Sequence, residues 1–138
     1  LHKEKKISYK YSDPLCIALQ ILNHIQDCKE DYNKVNRVYL PLTFLKKHNV
    51  KLQQLKKNRI EKNLRLTIND VLLHTEKLIN EADKYKKIMK NKKLSKETAF
   101  ILEIAKSLLK LLKKKDPLRN KIVLNKLDYI KCFVKTFL

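Results

Sequence analysis

Glycine is absent from the 138 residues, proline occurs three times and tryptophan does not occur at all. Tight β-hairpin turns and bulges depend on glycine, asparagine–glycine pairs and proline, so a sheet built from hairpins is disfavoured. Leucine and lysine, which are abundant, are good helix formers. The composition therefore predicts an all-α fold, and the length suits one helical region with a modest core.

Long apolar runs are also missing, because the most hydrophobic segment, AFILEIAKSLLKLL, contains Glu103, Lys106 and Lys110. A membrane-spanning helix needs about 20 predominantly apolar residues, so none is predicted. The first 13 residues, LHKEKKISYKYSD, lack the features of a signal peptide. They begin with leucine, so the chain is interpreted as a piece of something longer, with residues 1–11 irregular.

Cysteines are few and unpaired in pattern, since Cys16, Cys28 and Cys132 form no C-x-x-C motif and their number is odd. This argues against both a zinc site and a disulfide framework. Reduced thiols in a cytoplasmic protein are the plain interpretation.

Acidic residues are scarce relative to basic ones, and the formal charge is +19. Such a charge is typical of nucleic-acid binding. Only four of the positive residues are arginines, however, and an A+T-rich coding sequence yields lysine, asparagine and isoleucine without selection for binding. A solvated surface is favoured over a specific nucleic-acid site, with weak attraction to anionic lipid and peripheral membrane contact as the next interpretation.

Hydrophobic spacing and helix-capping residues predict the order of the helices. Ser12 and Asp13 precede Pro14 as a helix start, and Asp116 precedes Pro117 as another. The predicted elements are a helix from Pro14 to about Asp31, a loop over 32–41, short helices at 42–50 and 51–58, and long helices over 61–91, 95–115 and 117–135.

The first predicted helix carries a narrow polar line along a broad apolar face. At about 100° per residue, Gln20, Asn23, Asp27 and Asp31 fall on that line. Carboxylates one turn apart repel unless a cation lies between them, and Mg²⁺ is usually held by one or two carboxylates together with substrate phosphates. Arg37 follows and suits bidentate contact with a phosphate. A solvated acidic face without a ligand is the alternative that spacing alone leaves open.

The stretch ALQILNHIQDCKEDYNKVNRVYLP, residues 18–41, resembles the second aspartate-rich signature of the squalene and phytoene synthase family. That signature has A-L-Q, an asparagine, D-x-x-x-D, and an arginine followed by an aromatic residue and proline. FLKKHNV resembles the short helix that comes next, and LLKLLKKKDPLRNKIVLNKLDYI is similar to the family's closing helices around a D-P-L turn. The resemblance implies the C-terminal part of an all-α isoprenoid synthase bundle, with the motif on a helix that lines a central cavity.

The resemblance also implies roles for particular residues and a Mg²⁺ cofactor. Asp27 and Asp31 would be catalytic Mg²⁺ ligands, and Asn23 would contact the metal or the diphosphate. Gln20 would line the cavity, Arg37 would bind the diphosphate of a prenyl or presqualene substrate, and Tyr39 would line the site beside it.

Two departures from the family pattern point to one of its branches. Gln26 stands where the family often has arginine, and the interval from Asp31 to Arg37 is one residue longer than in phytoene synthases. Both features resemble the bacterial hydroxysqualene synthase branch, which serves hopanoid synthesis. A larger departure is that Glu4 and Asp13, the acids before Asp27 outside the motif, do not form the first aspartate-rich motif that the family also needs.

Three functions are therefore weighed. The first is an isoprenoid synthase half-site, inactive as an isolated fragment and completed by a missing N-terminal half. The second is a noncatalytic descendant of the fold that acts as a binding or assembly protein. The third, a basic helical nucleic-acid binder, would show affinity that falls steeply with salt, and the aspartate helix serves no purpose in it.

Overall fold

The computed structural model describes residues 9–84 and 88–138, without the side chains of residues 9–11. Helices are the only regular elements over these ranges, which confirms the predicted all-α class. We number the α-helices in chain order and name the short 3-10 helix by its residues. They are α1 Tyr9–Gln26, α2 Cys28–Val35, α3 Leu42–Lys47, the 3-10 helix Leu52–Lys56, α4 Lys62–Asp83, α5 Lys92–Lys114 and α6 Lys126–Phe137.

The core lies where α1, α4 and α5 pack against one another, and α3 and α6 cover α4 and α5 respectively. Apolar residues recur on one face of each long helix, which buries that face against its neighbours. The largest fully buried side chains are Leu22, Ile25, Leu55, Leu64, Ile68, Leu72, Ile79, Leu102, Leu112 and Leu118. None of the described helices is long and apolar enough to cross a membrane.

The N-terminal boundaries differ from the prediction in two places. Tyr9–Tyr11 are already helical, so the expectation of an irregular segment over 1–11 is wrong for these residues, while residues 1–8 lie outside the described part. Pro14 consequently lies inside α1 and not in its first turn. The helix predicted to end at Asp31 is instead broken at Asp27 and resumes as α2, so that residues 32–35 of the predicted loop are helical.

The later helices begin and end elsewhere for reasons of capping. α4 ends at Asp83, short of the predicted Asn91. The Asn91 side chain accepts hydrogen bonds from two backbone amides and starts α5 three residues before the predicted Ser95. The last helix begins at Lys126 and not at Pro117, since Asn125 and Asp128 form a capping box there. Tyr85, predicted to continue the long helix, lies outside the described residues.

Candidate active site

The two aspartates lie on either side of the junction between α1 and α2. Asp27 has φ −103° and ψ 6°, outside the helical well, and this local change divides the helix. The hydrogen-bond ladder nevertheless continues, since the Asp27 amide donates to the Asn23 carbonyl at 3.0 Å and the Asp31 amide to the Asp27 carbonyl at 2.8 Å. Asp27 and Asp31 therefore keep a spacing of one helical turn.

The polar line of the sequence lies on the outer face of α1. Gln20 and Asn23 are exposed and Asp27 and Asp31 are partly exposed, whereas Leu22 and Ile25 on the opposite side are buried. Burial of the apolar face fixes the rotation of the helix, so the polar line is presented outward. The structure thus leaves all four of these predicted site residues at least partly exposed.

Asp27 forms an ion pair with a residue from the far end of the chain. Its Oδ1 atom lies 3.1 Å from Lys121 Nζ, and Glu30 Oε2 lies 3.9 Å from the same ammonium. The contact with Asp27 raises the pKa of Lys121 above its ordinary value, with Glu30 adding to the effect. This Oδ1 atom is itself inaccessible to solvent and has no well-oriented hydrogen-bond donor. Lys121 is thus a cation held beside the first aspartate, and no local pattern in the sequence indicated it.

The segment after α2 returns Arg37 and Tyr39 to the second aspartate. Asn36 ends α2 in the left-handed conformation at φ 52°, which asparagine tolerates better than most residues. The Arg37 amide then donates to the Asp31 carbonyl at 3.1 Å, and Arg37 Nη1 donates to the Tyr39 hydroxyl at 3.4 Å. That hydroxyl contact, with a smaller contribution from Asp31, raises the pKa of the Arg37 guanidinium.

His24 holds this segment against α1. Its ring stacks on Tyr39 with 3.7 Å between the centroids and 12° between the planes, and its Nδ1 lies 4.0 Å from Asp31 Oδ2. These contacts give His24 a structural role beside the acidic pair. Its stacking partner could not be identified from spacing, because Tyr39 lies beyond α2 in a segment without regular structure.

An apolar cavity of about 190 Å³ lies behind the stacked rings, between α1, the 38–41 segment, α3 and α4. Its two histidines, His24 and His74, lie among hydrophobic walls. The remaining lining residues are Ile21, Ile25, Cys28, Val38, Tyr39, Leu40, Pro41, Phe44, Leu55 and Val71. A hydrocarbon ligand with its polar group at Asp31 and Arg37 would have this apolar cavity nearby.

Gln26 and Lys29 fasten the segment after the D-P-L turn to the first two helices. The Gln26 amide nitrogen donates to the Ile122 carbonyl, and Lys29 Nζ donates to the Leu118 carbonyl at 3.0 Å. Gln26, which departs from the family pattern, therefore anchors the segment that carries Lys121. This anchoring places Lys121 where it meets Asp27.

Asp27, Asp31 and Asn23 are the residues that would hold the expected Mg²⁺. Over residues 9–84 and 88–138, no cluster of three or more histidine, cysteine or acidic side chains has the arrangement of a metal site. Two carboxylates and an amide are nevertheless what Mg²⁺ uses when phosphate oxygens and water complete its octahedron. Asp27, Asp31 and Asn23 supply hard oxygens only, although Asp27 Oδ1 already lies 3.1 Å from the Lys121 ammonium. The residues fit a metal held jointly with a diphosphate, not a closed protein cage.

The chain matches a known protein family. The profile of the squalene/phytoene synthase family matches residues 1–128. The chain therefore belongs to the squalene/phytoene synthase family, and the predicted membership and fold are confirmed.

Similar curated proteins carry one name. The hydroxysqualene synthase of Zymomonas mobilis is 33% identical over 128 residues, 93% of this chain and 43% of that protein. Those of Rhodopseudomonas palustris and Sinorhizobium fredii are each 29% identical over 130 residues, 94% of this chain and 44% of theirs. The chain thus spans less than half the length of these relatives. No solved structure matches it.

Proposed function

We propose that this chain carries the diphosphate-binding half of a Mg²⁺-dependent isoprenoid synthase active site. Asp27 and Asp31 are the proposed metal ligands, with Asn23 as a third oxygen donor. The observation that carries the proposal is that both partly exposed aspartates lie one turn apart, and that the Arg37 backbone amide donates to the Asp31 carbonyl. Asp31 also helps to raise the pKa of the Arg37 guanidinium, so the proposed cation site and the proposed phosphate-binding group lie near each other.

Each residue has a distinct task in the proposed reaction. Bound Mg²⁺ would supply Lewis-acid stabilisation of the leaving diphosphate. Arg37 pairs with diphosphate oxygens, and its hydrogen bond to Tyr39 limits the rotamers that it loses on binding. Gln20 lines the surface beside them. The C–O bond of the substrate breaks, the diphosphate leaves with the electron pair, and an allylic or cyclopropylcarbinyl cation remains in apolar surroundings.

The proposed substrate of the complete enzyme is presqualene diphosphate, and the proposed product is hydroxysqualene, in hopanoid synthesis. The names of the three relatives and the two sequence features at Gln26 and before Arg37 support this branch. Water would add its oxygen to the cation and lose a proton, so no reductant is consumed. Mass spectrometry of the product formed without NADPH should show a C30 alcohol. Squalene formed with NADPH consumption, or a C40 hydrocarbon from geranylgeranyl diphosphate, would contradict this assignment.

The proposal includes a second chain segment. The chain covers 43–44% of the relatives, and its acids outside the motif provide no second D-x-x-x-D before Asp27. Catalysis requires the charged groups of both motifs to be held in a fixed arrangement around the substrate. One motif alone is therefore expected to bind the diphosphate group without breaking the C–O bond. We therefore expect no diphosphate release from farnesyl or presqualene diphosphate by this chain alone. Rapid release by the isolated chain would contradict the two-motif account.

A noncatalytic binding or assembly role is the second candidate, and the Lys121 contact favours it. The exposed Lys121 ammonium, 3.1 Å from Asp27 Oδ1, already supplies positive charge where a metal would bring it. In such a protein the acidic pair would stabilise the docked C-terminal segment and bind no Mg²⁺. Lys121→Gln separates the two candidates, because it should strengthen Mg²⁺ binding in the first and only loosen the segment in the second.

Calorimetric titration tests the proposal. Inorganic diphosphate is titrated into the chain with Mg²⁺ and again with a chelator, and the difference gives the metal-dependent binding. Asp27→Asn should abolish that difference, while Asp13→Asn, which removes an exposed acid from α1, should leave it unchanged. If diphosphate were only attracted to the lysine-rich surface, Asp27→Asn would strengthen diphosphate binding, because the variant loses a negative charge. Equal metal-dependent binding in wild type and Asp27→Asn would refute the metal assignment.

A further inference from the structure

Helix α6 presents its apolar side to solvent and its less apolar side to the protein. Cys132, 2% exposed, faces α5 and lies 3.4 Å from Ser107 Oγ, whereas Leu127 on the opposite side is 65% exposed. At about 100° per residue, the exposed apolar residues cover an arc of roughly 140° centred opposite Cys132. We call this arc the outward face of α6, and it consists of Leu127, Ile130, Phe133, Val134, Phe137 and Leu138.

This face is preformed. Phe133 and Phe137 stack at 4.6 Å between centroids, and both rings contact Phe100 of α5 at 6.2 and 6.1 Å. The capping box of Asn125 with Asp128 fixes the first turn of the helix. Folding therefore holds large apolar side chains outward, an arrangement that marks an interaction site when it is contiguous.

Charge identifies the kind of surface that this face fits. α6 contains Lys126, Lys131 and Lys135, of which Lys135 lies 3.6 Å from Glu103 of α5, and its one acid, Asp128, is engaged in the capping box. Lys96 of α5 adds a fourth ammonium, 5.9 Å from the centre of the Phe137 ring. Buried centres of protein interfaces are depleted in lysine, whereas lysines beside an apolar helix face let their stems lie on hydrocarbon and their ammonium groups meet lipid phosphates.

Length determines the orientation. A helix of 12 residues is about 18 Å long at 1.5 Å per residue, too short to cross a hydrocarbon core of about 30 Å. Aromatic and aliphatic residues on one side with lysines at the border are typical of helices that lie in the plane of the headgroups. The formal charge of +19 adds attraction to the negative surface.

We propose that the outward face of α6 docks this chain on the surface of anionic bilayers. The inference goes beyond the proposed function, because α6 carries none of the proposed metal or diphosphate ligands and the family match ends at residue 128. Failure of the docking would leave the diphosphate site untouched, and the converse also holds.

Vesicle sedimentation tests the docking. The chain is mixed with vesicles of phosphatidylcholine alone and of phosphatidylcholine with phosphatidylglycerol, at low and high salt. We expect binding to the anionic vesicles that falls about tenfold or more in the double variant Ile130→Asp, Val134→Asp. Lys131→Gln should weaken binding about fivefold, as expected for roughly 1 kcal/mol per lysine. The matched control is Leu73→Asp, which replaces a half-exposed leucine on α4 and should bind as wild type.

Each alternative occupant gives a different result. Equal vesicle binding by wild type and the double variant, with α-helical content unchanged by circular dichroism, would overturn the assignment to α6. Absence of binding to both kinds of vesicle would overturn the membrane as the occupant. Concentration-dependent dimers that the double variant abolishes, without vesicle binding, would show that a second copy of the chain covers this face.

Discussion

Replacing Asp116 should destabilise the chain more than its partly exposed position suggests. Its Oδ1 accepts a hydrogen bond from the Leu118 amide and its Oδ2 one from the Ile60 amide, each at 2.8 Å. One carboxylate thus joins the loop before α4 to the turn after α5. A hydrogen bond to a charged group contributes about 1.5–3 kcal/mol, so Asp116→Ala removes about 3–6 kcal/mol as an upper bound. That is a large share of the stability of a domain this size, about 7–20 kcal/mol.

Asp116→Asn provides the matched comparison. Asparagine keeps one carbonyl oxygen for one of the two amides and turns an NH₂ group toward the other, so we expect about half of the loss. Urea unfolding followed by far-ultraviolet circular dichroism gives both values, with Asp13→Asn as a control for the lost charge. An Asp116→Ala value within about 0.5 kcal/mol of wild type would refute the reasoning, because surface substitutions without a structural role fall in that range.

Two further outcomes follow from the described contacts. The Asp70 carboxylate accepts hydrogen bonds from Lys47 and from His48 Nε2, and these contacts hold the Asp70 pKa below its ordinary value. The ionised carboxylate therefore stabilises the fold above about pH 4, and this stabilisation is lost as the pH falls through the lowered pKa. The melting temperature of wild type should fall more steeply in acid than that of Asp70→Asn, and parallel curves would contradict this. Burial raises the pKa of the Cys28 thiol to about 12, and Cys132 is buried as well, whereas Cys16 is exposed. A thiol reagent should therefore modify Cys16 alone in the native chain and all three cysteines in denaturant. Rapid native labelling of Cys28 would disprove the packing of α1 and α2.

Composition and short-range pattern predict the helical class but not the ends of most helices. The absence of glycine and the recurring apolar spacing are sufficient for the class, and the lysines at the end of α5 mark its C-terminus correctly. Capping decides the other boundaries, and it is ambiguous in sequence. Asp116 before Pro117 resembles a helix start, yet its carboxylate accepts from Ile60, a residue distant in the chain, and only one turn forms there.

The candidate site shows the same division. Asp27, Asp31 and Asn23 follow from a local motif, and helical geometry alone places them on one face. The break at Asp27 does not interrupt the apolar periodicity, since Ile25 and Cys28 on either side are both buried, so the sequence carries no signal for it. Lys121 reaches Asp27 only through tertiary packing.

The most direct test of the account is to locate the metal on the folded chain. Mn²⁺ shares the oxygen preference of Mg²⁺ and broadens the nuclear magnetic resonance signals of nearby atoms. With inorganic diphosphate present, substoichiometric Mn²⁺ should broaden the backbone amide signals of Asn23, Asp27 and Asp31 first, and Asp27→Asn should remove that selectivity. Sharp signals at these three residues, together with broadening at acids elsewhere on the surface, would contradict the proposal that this helix binds the metal and the diphosphate.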